Sequence, residues 1–316
     1  ISACLVGSEM CIRDRSCIAH NVSARDPALL LLFVDYNCRY AAVHYCSGTA
    51  RGVHVSNRCR REIDLMGIAL FVSERSRPQV TTRPLSVGCL IFEQMDQIDF
   101  TGPFEVLSRM PDTTVQVVGK TLAPVRDVQV LRLTPDVSIA QAGTFDVLLV
   151  PGGYGQQALM HDEEVFAVIR EQVQMQRLLF SVCTGALLCG AAGVLTGRQV
   201  TTHWSARHLM PHYGAVLADA RVVVDGNIIS AAGVTAGLDG ALVLVSHLRG
   251  DAAAQEIQLA IEYSPNPVFD SGTPESAPAQ VLESFQKKYE AIGTAREAEA
   301  IRYAENDTRG HSCRGG

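Results

Sequence analysis

Residues 178–190 have the sequence LLFSVCTGALLCG, which joins an apolar run to a stretch of small residues. The run LLFSV (178–182) predicts a buried strand, and TGALLCGAAGVL (184–195) predicts a helix. Cys183 lies between them, at the carboxyl end of the strand. Open parallel sheets form their binding sites at such strand ends, so this junction indicates both a fold class and a candidate site.

The same alternation of strand and helix continues on both sides of this junction. Further strands are predicted at LSVGCLIF (85–92), TVQVVGK (114–120) and FDVLLVPGG (145–153), and a hairpin at RVVVDGNIIS (221–230). Helices are predicted over 98–110, 162–176, 233–250 and 252–263. Continuous apolar strands that alternate with helices indicate a mainly parallel sheet covered on both faces. We therefore predict one α/β domain from residue 85 to 265.

The segments that flank this domain lack its pattern. Residues 1–84 show no sustained strand or helix period. Within them, LVGSEMCIRD (5–14) back-translates to a DNA sequence that resembles the adapter and mosaic end of a transposase-based sequencing library. We predict residues 1–84 to be a leader outside the family of the domain, either artefactual or disordered. A proline-rich segment and a polar helix are predicted over 266–304, followed by a disordered tail at 305–316.

The composition excludes several classes of partner. The net charge is −6, whereas nucleic acids and anionic membranes require a concentrated basic face. No apolar run approaches the roughly 20 residues of a membrane span. Six of the ten cysteines precede residue 85 without a C-x-x-C pair or a matching histidine spacing, so no zinc site is predicted there. We expect a cytoplasmic protein that acts on a small molecule.

Cys183 is the first candidate for chemistry. At a strand-to-helix elbow it projects into the crevice beside a helix N-terminus, whose dipole and free N–H groups lower the pKa of a thiol. The same N–H groups can receive a developing negative charge. Thr184 adds a hydroxyl, and Gly185 permits the tight turn. From position alone, a cysteine that only packs in the core is an equally good interpretation.

Two other segments end or follow predicted strands. Asp99, in QIDFTGP (97–103), is either a helix cap or an acid/base partner whose ionisation is coupled to a nearby thiol. PGG (151–153) follows a buried strand, where glycines allow close approach and can direct N–H groups at a ligand.

The histidines give weaker signals. His203, in TTHW (201–204), would complete a nucleophilic Cys–His pair, although a histidine that opens a helix is more often a cap. His208 and His212 are four residues apart, a spacing that suits a metal, but no third ligand is apparent. Their interpretation as a solvated helix face is therefore favoured.

Together these segments resemble the ThiJ/PfpI superfamily, whose fold is similar to that of the class I glutamine amidotransferases. The fold implied is a flavodoxin-like three-layer sandwich with a nucleophile elbow. The resemblance covers roughly residues 85 to 300, and the segments that carry it are IDFTGP, FDVLLVPGG, SVCTGALLCGAAGVLTGR, TTHW and GVTAGLDGAL. The aspartate of IDFTGP and the proline-rich IEYSPNPVFDSGTPESAPA (261–279) resemble the isonitrile hydratase subgroup most closely.

The resemblance implies an enzyme, a hydro-lyase that converts an isocyanide to an N-substituted formamide through a thioimidate on Cys183. It implies Asp99 as the acid and base, Thr184 as its helper and Gly153 as a backbone donor that binds the substrate. It implies neither a metal nor an organic cofactor, and a homodimer is expected.

Two alternatives remain open at this point. One is a glyoxalase-like enzyme that acts on 2-oxoaldehydes, against which the absence of an evident glutamate beside Cys183 counts. The other is a redox or ligand-sensing module without turnover, in which Cys183 is oxidised reversibly. An enzyme would turn over, whereas a sensor would only accumulate oxidised Cys183.

Overall fold

The computed structural model describes residues 80–312 and four short strands before them, at Ala3–Val6 (β1), Glu9–Ile12 (β2), Ile18–Ala19 (β3) and Leu70–Val72 (β4). The chain divides into two units, Ile1–Ile68 and Ala69–Gly316. In the first unit β2 pairs antiparallel with both β1 and β3. The rest of the predicted leader, including the side chains of its cysteines, and residues 313–316 lie outside the described residues.

A central sheet organises the second unit. After β4, its strands are Leu85–Ile91 (β5), Thr113–Gly119 (β6), Val125–Arg126 (β7), Arg132–Leu133 (β8), Val137–Ser138 (β9), Val147–Val150 (β10), Leu178–Val182 (β11), Gln199–Val200 (β12), Val216–Leu217 (β13), Val222–Asp225 (β14) and Ile228–Ala231 (β15). Eight of these form one sheet in the order β4-β14-β15-β11-β10-β5-β6-β9. Neighbouring strands of this sheet are parallel except β14 and β15, which form an antiparallel hairpin. The predicted mainly parallel sheet is confirmed.

Helices flank the sheet. The α-helices of the second unit are Gln97–Leu107 (α1), Glu163–Gln174 (α2), Gly185–Ala191 (α3), Ala236–Arg249 (α4), Asp251–Ala260 (α5) and Ala279–Ser312 (α6). Two 3₁₀ helices of the described chain, Gly155–Leu159 and Trp204–Tyr213, follow β10 and β12. Helices α1 and α4 pack on each other and on the sheet, and so do α2 and α3. This arrangement is the predicted flavodoxin-like α/β sandwich.

Strands β10 and β11 position the site. All four residues of β10 are buried, as are the last four of β11, because helices cover both faces of a parallel sheet. The two strands pair in register, with Val150 opposite Ser181. The segments that follow them, 151–153 and 183–185, therefore start side by side. Gly185 allows this contact, since a Cβ atom there would lie 2.2 Å from the carbonyl oxygen of Val150.

Two elements extend past the predicted boundaries. Strand β4 pairs in parallel with β14, although it lies before residue 85, where the domain is predicted to start. Helix α6 ends at Ser312, beyond residue 304, where the sequence predicts its end. It packs along the 3₁₀ helix Trp204–Tyr213, and its Ala300 is fully buried. The polar C-terminal helix is therefore an integral part of the second unit.

Candidate active site

Cys183 lies at the junction of β11 and α3 in a backbone conformation that residues other than glycine rarely adopt. Its φ angle is +56°, in the left-handed region, and only 6% of the residue is exposed. Its N–H donates to the carbonyls of Ala231 and Ala232, at 3.1 and 2.9 Å. Its own carbonyl accepts the hydroxyl of Thr202 at 2.7 Å. Hydrogen bonds on both sides thus hold the strained turn in place.

Asp99 lies in the first turn of α1 and is completely buried. The helix cap is Asp96, whose Oδ1 accepts the N–H of Ile98 at 3.0 Å, so the interpretation of Asp99 as the cap is wrong. Asp99 Oδ2 instead accepts the N–H of Gly152 at 2.9 Å, across to the loop after β10. Its Oδ1 accepts no N–H or O–H bond from the described residues. One carboxyl oxygen is therefore fixed and the other is available for chemistry.

Burial raises the pKa of Asp99 to about 8, and the charge of Asp96 adds to this increase. The Gly152 N–H, the Cys183 side chain and the positive charge of Arg296 oppose it. Asp99 therefore keeps its proton at neutral pH. Because Oδ2 accepts the Gly152 N–H, the proton belongs on Oδ1.

The pKa of Cys183 is also raised well above its ordinary value. Burial is the largest cause and the negative charge of Asp99 the second, while the Thr184 N–H and Arg296 act in the opposite direction. The expectation that the helix N-terminus would lower this pKa is wrong, because desolvation of the buried thiol outweighs the favourable N–H and charge. Cys183 and Asp99 influence each other, so they titrate as a pair.

The loop after β10 contacts the residue after the thiol. Thr184, which is 2% exposed, accepts the N–H of Gly153 through its Oγ1 at 3.1 Å. Gly152 makes this approach possible, because a Cβ atom there would lie 2.5 Å from both the nitrogen and the Oγ1 of Thr184. The Gly153 N–H, which the resemblance assigns to substrate, is thus bonded to Thr184 in this structure. Three of the residues implied by the resemblance, Cys183, Asp99 and Thr184, meet at one place.

His203 acts as a helix cap. Its Nδ1 accepts the N–H of Ser205 at 3.3 Å at the start of the 3₁₀ helix Trp204–Tyr213. Burial, followed by the charge of Arg296, lowers its pKa to about 4, so the imidazole is neutral at pH 7. No group of three or more His, Cys, Asp and Glu residues suited to a metal ion occurs among the described residues, which include His208 and His212.

Arg296 is the residue that the sequence interpretation missed. It comes from α6 and is 7% exposed. Its Nη2 donates to the carbonyl of Gly153 at 2.8 Å and to Thr184 Oγ1 at 3.2 Å, and its Nε donates to Gln156 Oε1 at 3.2 Å. The only signal in the sequence is the i, i+3, i+4 spacing of Arg296, Glu299 and Ala300, which share a buried face in an otherwise polar helix.

Aromatic rings form a continuous row beside these residues. Tyr154, which follows Gly153, lies 5.8 Å from Tyr289 between ring centroids. Phe285 lies 4.2 Å from Tyr289 and 5.1 Å from Trp204, and the Trp204 ring lies 5.4 Å from that of His203. The row joins the loop after β10, helix α6 and the 3₁₀ helix after β12. The single tryptophan is therefore half-buried next to the site.

Comparisons with known proteins agree with this geometry. Residues 85–247 match the DJ-1/PfpI family. The chain is 45% identical over 204 residues to an isonitrile hydratase from Pseudomonas putida, covering 65% of this chain and 90% of that protein. It is 31% identical over 172 residues to the Parkinson disease protein 7 homolog of Danio rerio, covering 52% of this chain and 89% of the relative.

Solved structures show the same fold. A ThiJ/PfpI family protein from Pseudomonas syringae superposes with a TM-score of 0.67 at 33% sequence identity. The superposition covers 71% of this chain and 92% of that protein. Within the described part of the chain, no helix is long and apolar enough to cross a membrane.

Proposed function

The chain belongs to the DJ-1/PfpI family, and from this premise we propose that it hydrates an isocyanide to an N-substituted formamide. Cys183 is the nucleophile, Asp99 the acid and base, and Thr184 and Gly153 border the substrate. One observation carries the proposal: a buried thiol lies beside a carboxyl that keeps its proton at neutral pH. The 45% identity to an isonitrile hydratase supports the same reaction.

The chemistry of an isocyanide explains why a protonated carboxyl is needed. The terminal carbon carries a lone pair, so it must accept a proton before it becomes electrophilic. An ordinary aspartate is ionised at pH 7 and has no proton to give. Asp99 retains one because it is buried, and its Oδ1 is free to direct that proton at a substrate.

The reactive state of the pair has lost one of its two protons. In the reactive tautomer the remaining proton lies on Asp99 and the negative charge on Cys183; this form is in equilibrium with the one that has a thiol and a carboxylate. The Asp99 proton moves to the isocyanide carbon while the Cys183 sulfur forms a bond to the same carbon. The result is a thioimidate on Cys183 and a carboxylate on Asp99.

Water completes the reaction. The Asp99 carboxylate takes a proton from water while the water oxygen adds to the thioimidate carbon, and it passes that proton to the nitrogen. Asp99 then accepts the hydroxyl proton as the C–S bond breaks. The formamide leaves, and the thiolate and the protonated Asp99 are restored. We assign the orientation of this water to Thr184, whose Oγ1 accepts the N–H of Gly153.

Formamide production from a simple aliphatic isocyanide tests the proposal. Cys183→Ala is expected to abolish turnover. Asp99→Asn is expected to reduce turnover roughly 10²–10⁴-fold, which is the usual contribution of general acid–base catalysis. Cys189→Ala is the matched control, because Cys189 is another buried cysteine, in α3, to which the proposal gives no role.

The alternatives give different results in the same experiment. A chain that shows no turnover but accumulates oxidised Cys183 with peroxide would be a sensor. Turnover of a 2-oxoaldehyde in place of the isocyanide would favour the glyoxalase-like reaction. The homodimer, which the resemblance implies, and the cytoplasmic location, which the composition suggests, stay predictions.

A further inference from the structure

Arg296 is a buried cation without an ion-pair partner among the described side chains. No carboxylate of residues 80–306 lies within 4 Å of its guanidinium. By contrast, Arg302 of the same helix pairs with an acidic group, and so do Arg83, Arg177 and Arg221. Its three hydrogen bonds go to neutral oxygens, of Gly153, Thr184 and Gln156. A desolvated charge of this kind is costly unless something nearby compensates it.

The compensating group is the thiol–carboxyl pair. The charges of Cys183 and Asp99 raise the pKa of Arg296 against the desolvation that lowers it, and Arg296 in turn lowers the pKa of Cys183. With both protons on the pair, the site contains an uncompensated positive charge. After the pair loses one proton, the charges balance.

We propose that Arg296 is a positioning residue that holds the Thr184 hydroxyl and the Gly153 carbonyl and balances the negative charge of the Cys183–Asp99 pair. For its effect on catalysis the proposal rests on the proposed hydratase function. Its effect on the thiol does not, because thiolate formation precedes any reaction with substrate.

The geometry requires a guanidinium. Arg296 serves three acceptors from two nitrogens, Nη2 and Nε, in the plane of one rigid group. A lysine supplies the charge from a single nitrogen at the end of a flexible chain. It would keep much of the electrostatic effect and lose the alignment of Thr184.

Other ionisable groups face the same space, and none of them replaces this cation. His203 is neutral, and Tyr154 and Tyr213 have raised pKa values because of burial, so they are uncharged at neutral pH. Asp96 adds negative charge near the pair and raises the pKa of Cys183. Glu299, one turn further along α6, is paired with His161 and Arg302. Arg296 is thus the positive charge that acts on Cys183.

The test measures the thiol directly. In the full-length chain, the rate of alkylation of Cys183 by iodoacetamide is followed against pH, with the modified peptide identified by mass spectrometry. Arg296→Met removes the charge and keeps the length of the side chain. We expect the midpoint of the profile to move up by about one pH unit or more, which is a tenfold loss of thiolate at a given pH. Arg302→Met is the control, because Arg302 lies on the same helix and is mainly exposed.

Arg296→Lys keeps the positive charge near Cys183 but loses the hydrogen bonds that align Thr184, so it separates the two effects. It also provides a test if Arg296→Met does not fold. We expect its alkylation profile to stay close to that of the unmodified chain while kcat for the isocyanide falls at least tenfold. An unchanged profile in folded Arg296→Met, or an unchanged kcat in Arg296→Lys, would overturn the proposal. If the unmodified chain fails to hydrate isocyanides yet Arg296→Met shifts the alkylation profile, the hydratase function fails and the electrostatic role of Arg296 stands.

Discussion

The α-carbon of Gly152 approaches Thr184 so closely that a single added methyl group would lie 2.5 Å from the threonine hydroxyl. The loop after β10 therefore fixes both partners of the thiol, because the N–H of Gly152 also holds Asp99. The proposed acid, helper and nucleophile (Asp99, Thr184 and Cys183) therefore depend on one backbone segment.

Gly152→Ala tests this dependence. We expect turnover to fall at least tenfold, since the added methyl group must displace Thr184 or the loop that orients Asp99. Gly143→Ala is the matched control, because a Cβ atom at Gly143 would meet nothing within 4 Å and should leave turnover unchanged. Steady-state formamide production measures turnover, and a thermal melt checks that both variants are folded. Full activity in Gly152→Ala would show that the contact is unimportant.

Asp99→Asn should change how stability depends on pH. The pKa of Asp99 is raised in the folded chain to about 8, above its ordinary value of about 3.9. The folded state therefore holds a proton that the unfolded state lacks, and stability is lost as the pH rises from about 4 through about 8. Asparagine has no such proton. We expect the free energy of unfolding of Asp99→Asn, relative to the unmodified chain, to be higher at pH 9 than at pH 5 in urea titrations; a constant difference would contradict the assignment.

The rate of hydration should rise with pH. The fully protonated pair contains a thiol and no thiolate, so it is inactive. Since the free pair loses its first proton at about the pKa of Asp99, we expect kcat/KM to increase roughly tenfold per pH unit below about 8 and to level off above it. Stopped assays from pH 6 to pH 9 measure the profile. A kcat/KM that is flat over this range would mean that the thiolate is already formed at pH 6.

Thr202→Val should weaken the elbow. The Thr202 hydroxyl donates to the carbonyl of Cys183 at 2.7 Å and helps to hold the positive φ angle of that residue. We expect the isosteric valine to cost about 1 kcal/mol of stability and to lower turnover several-fold. Thr201→Val is the neighbouring control: the Thr201 hydroxyl is buried and has no partner among the described atoms, so its removal should be neutral or stabilising. Equal effects of the two substitutions would remove any special role for Thr202.

Local sequence patterns predicted the strands and helices that build the sheet. The apolar run 178–182 is β11 as predicted, and the helix predicted over 162–176 lies at Glu163–Gln174. These elements are visible because their residues are buried on a regular period. The two-residue strands, such as Gln199–Val200, are too short to show a period, and their pairing depends on segments that are distant in the chain.

The sequence predicted the position of Cys183 in the candidate site, because that position depends on local geometry. It did not predict Arg296, whose position depends on tertiary contacts. Cys183 lies at its elbow because a strand and a helix meet there. Its raised pKa depends on burial by surrounding elements, which no local pattern reveals. Arg296 reaches the site only because α6 packs beside the 3₁₀ helix Trp204–Tyr213. In the sequence it is one more charged residue of a polar helix.

The contact between Arg296 and Thr184 spans 112 residues of chain. During synthesis the strand, the elbow and the thiol leave the ribosome long before the guanidinium that completes their surroundings. A growing chain would therefore contain the proposed nucleophile, Cys183, before it contains the cation that we propose favours its thiolate. Helix α6 thus makes the proposed reactivity of Cys183 a property that the chain acquires only after the elbow itself has been synthesised.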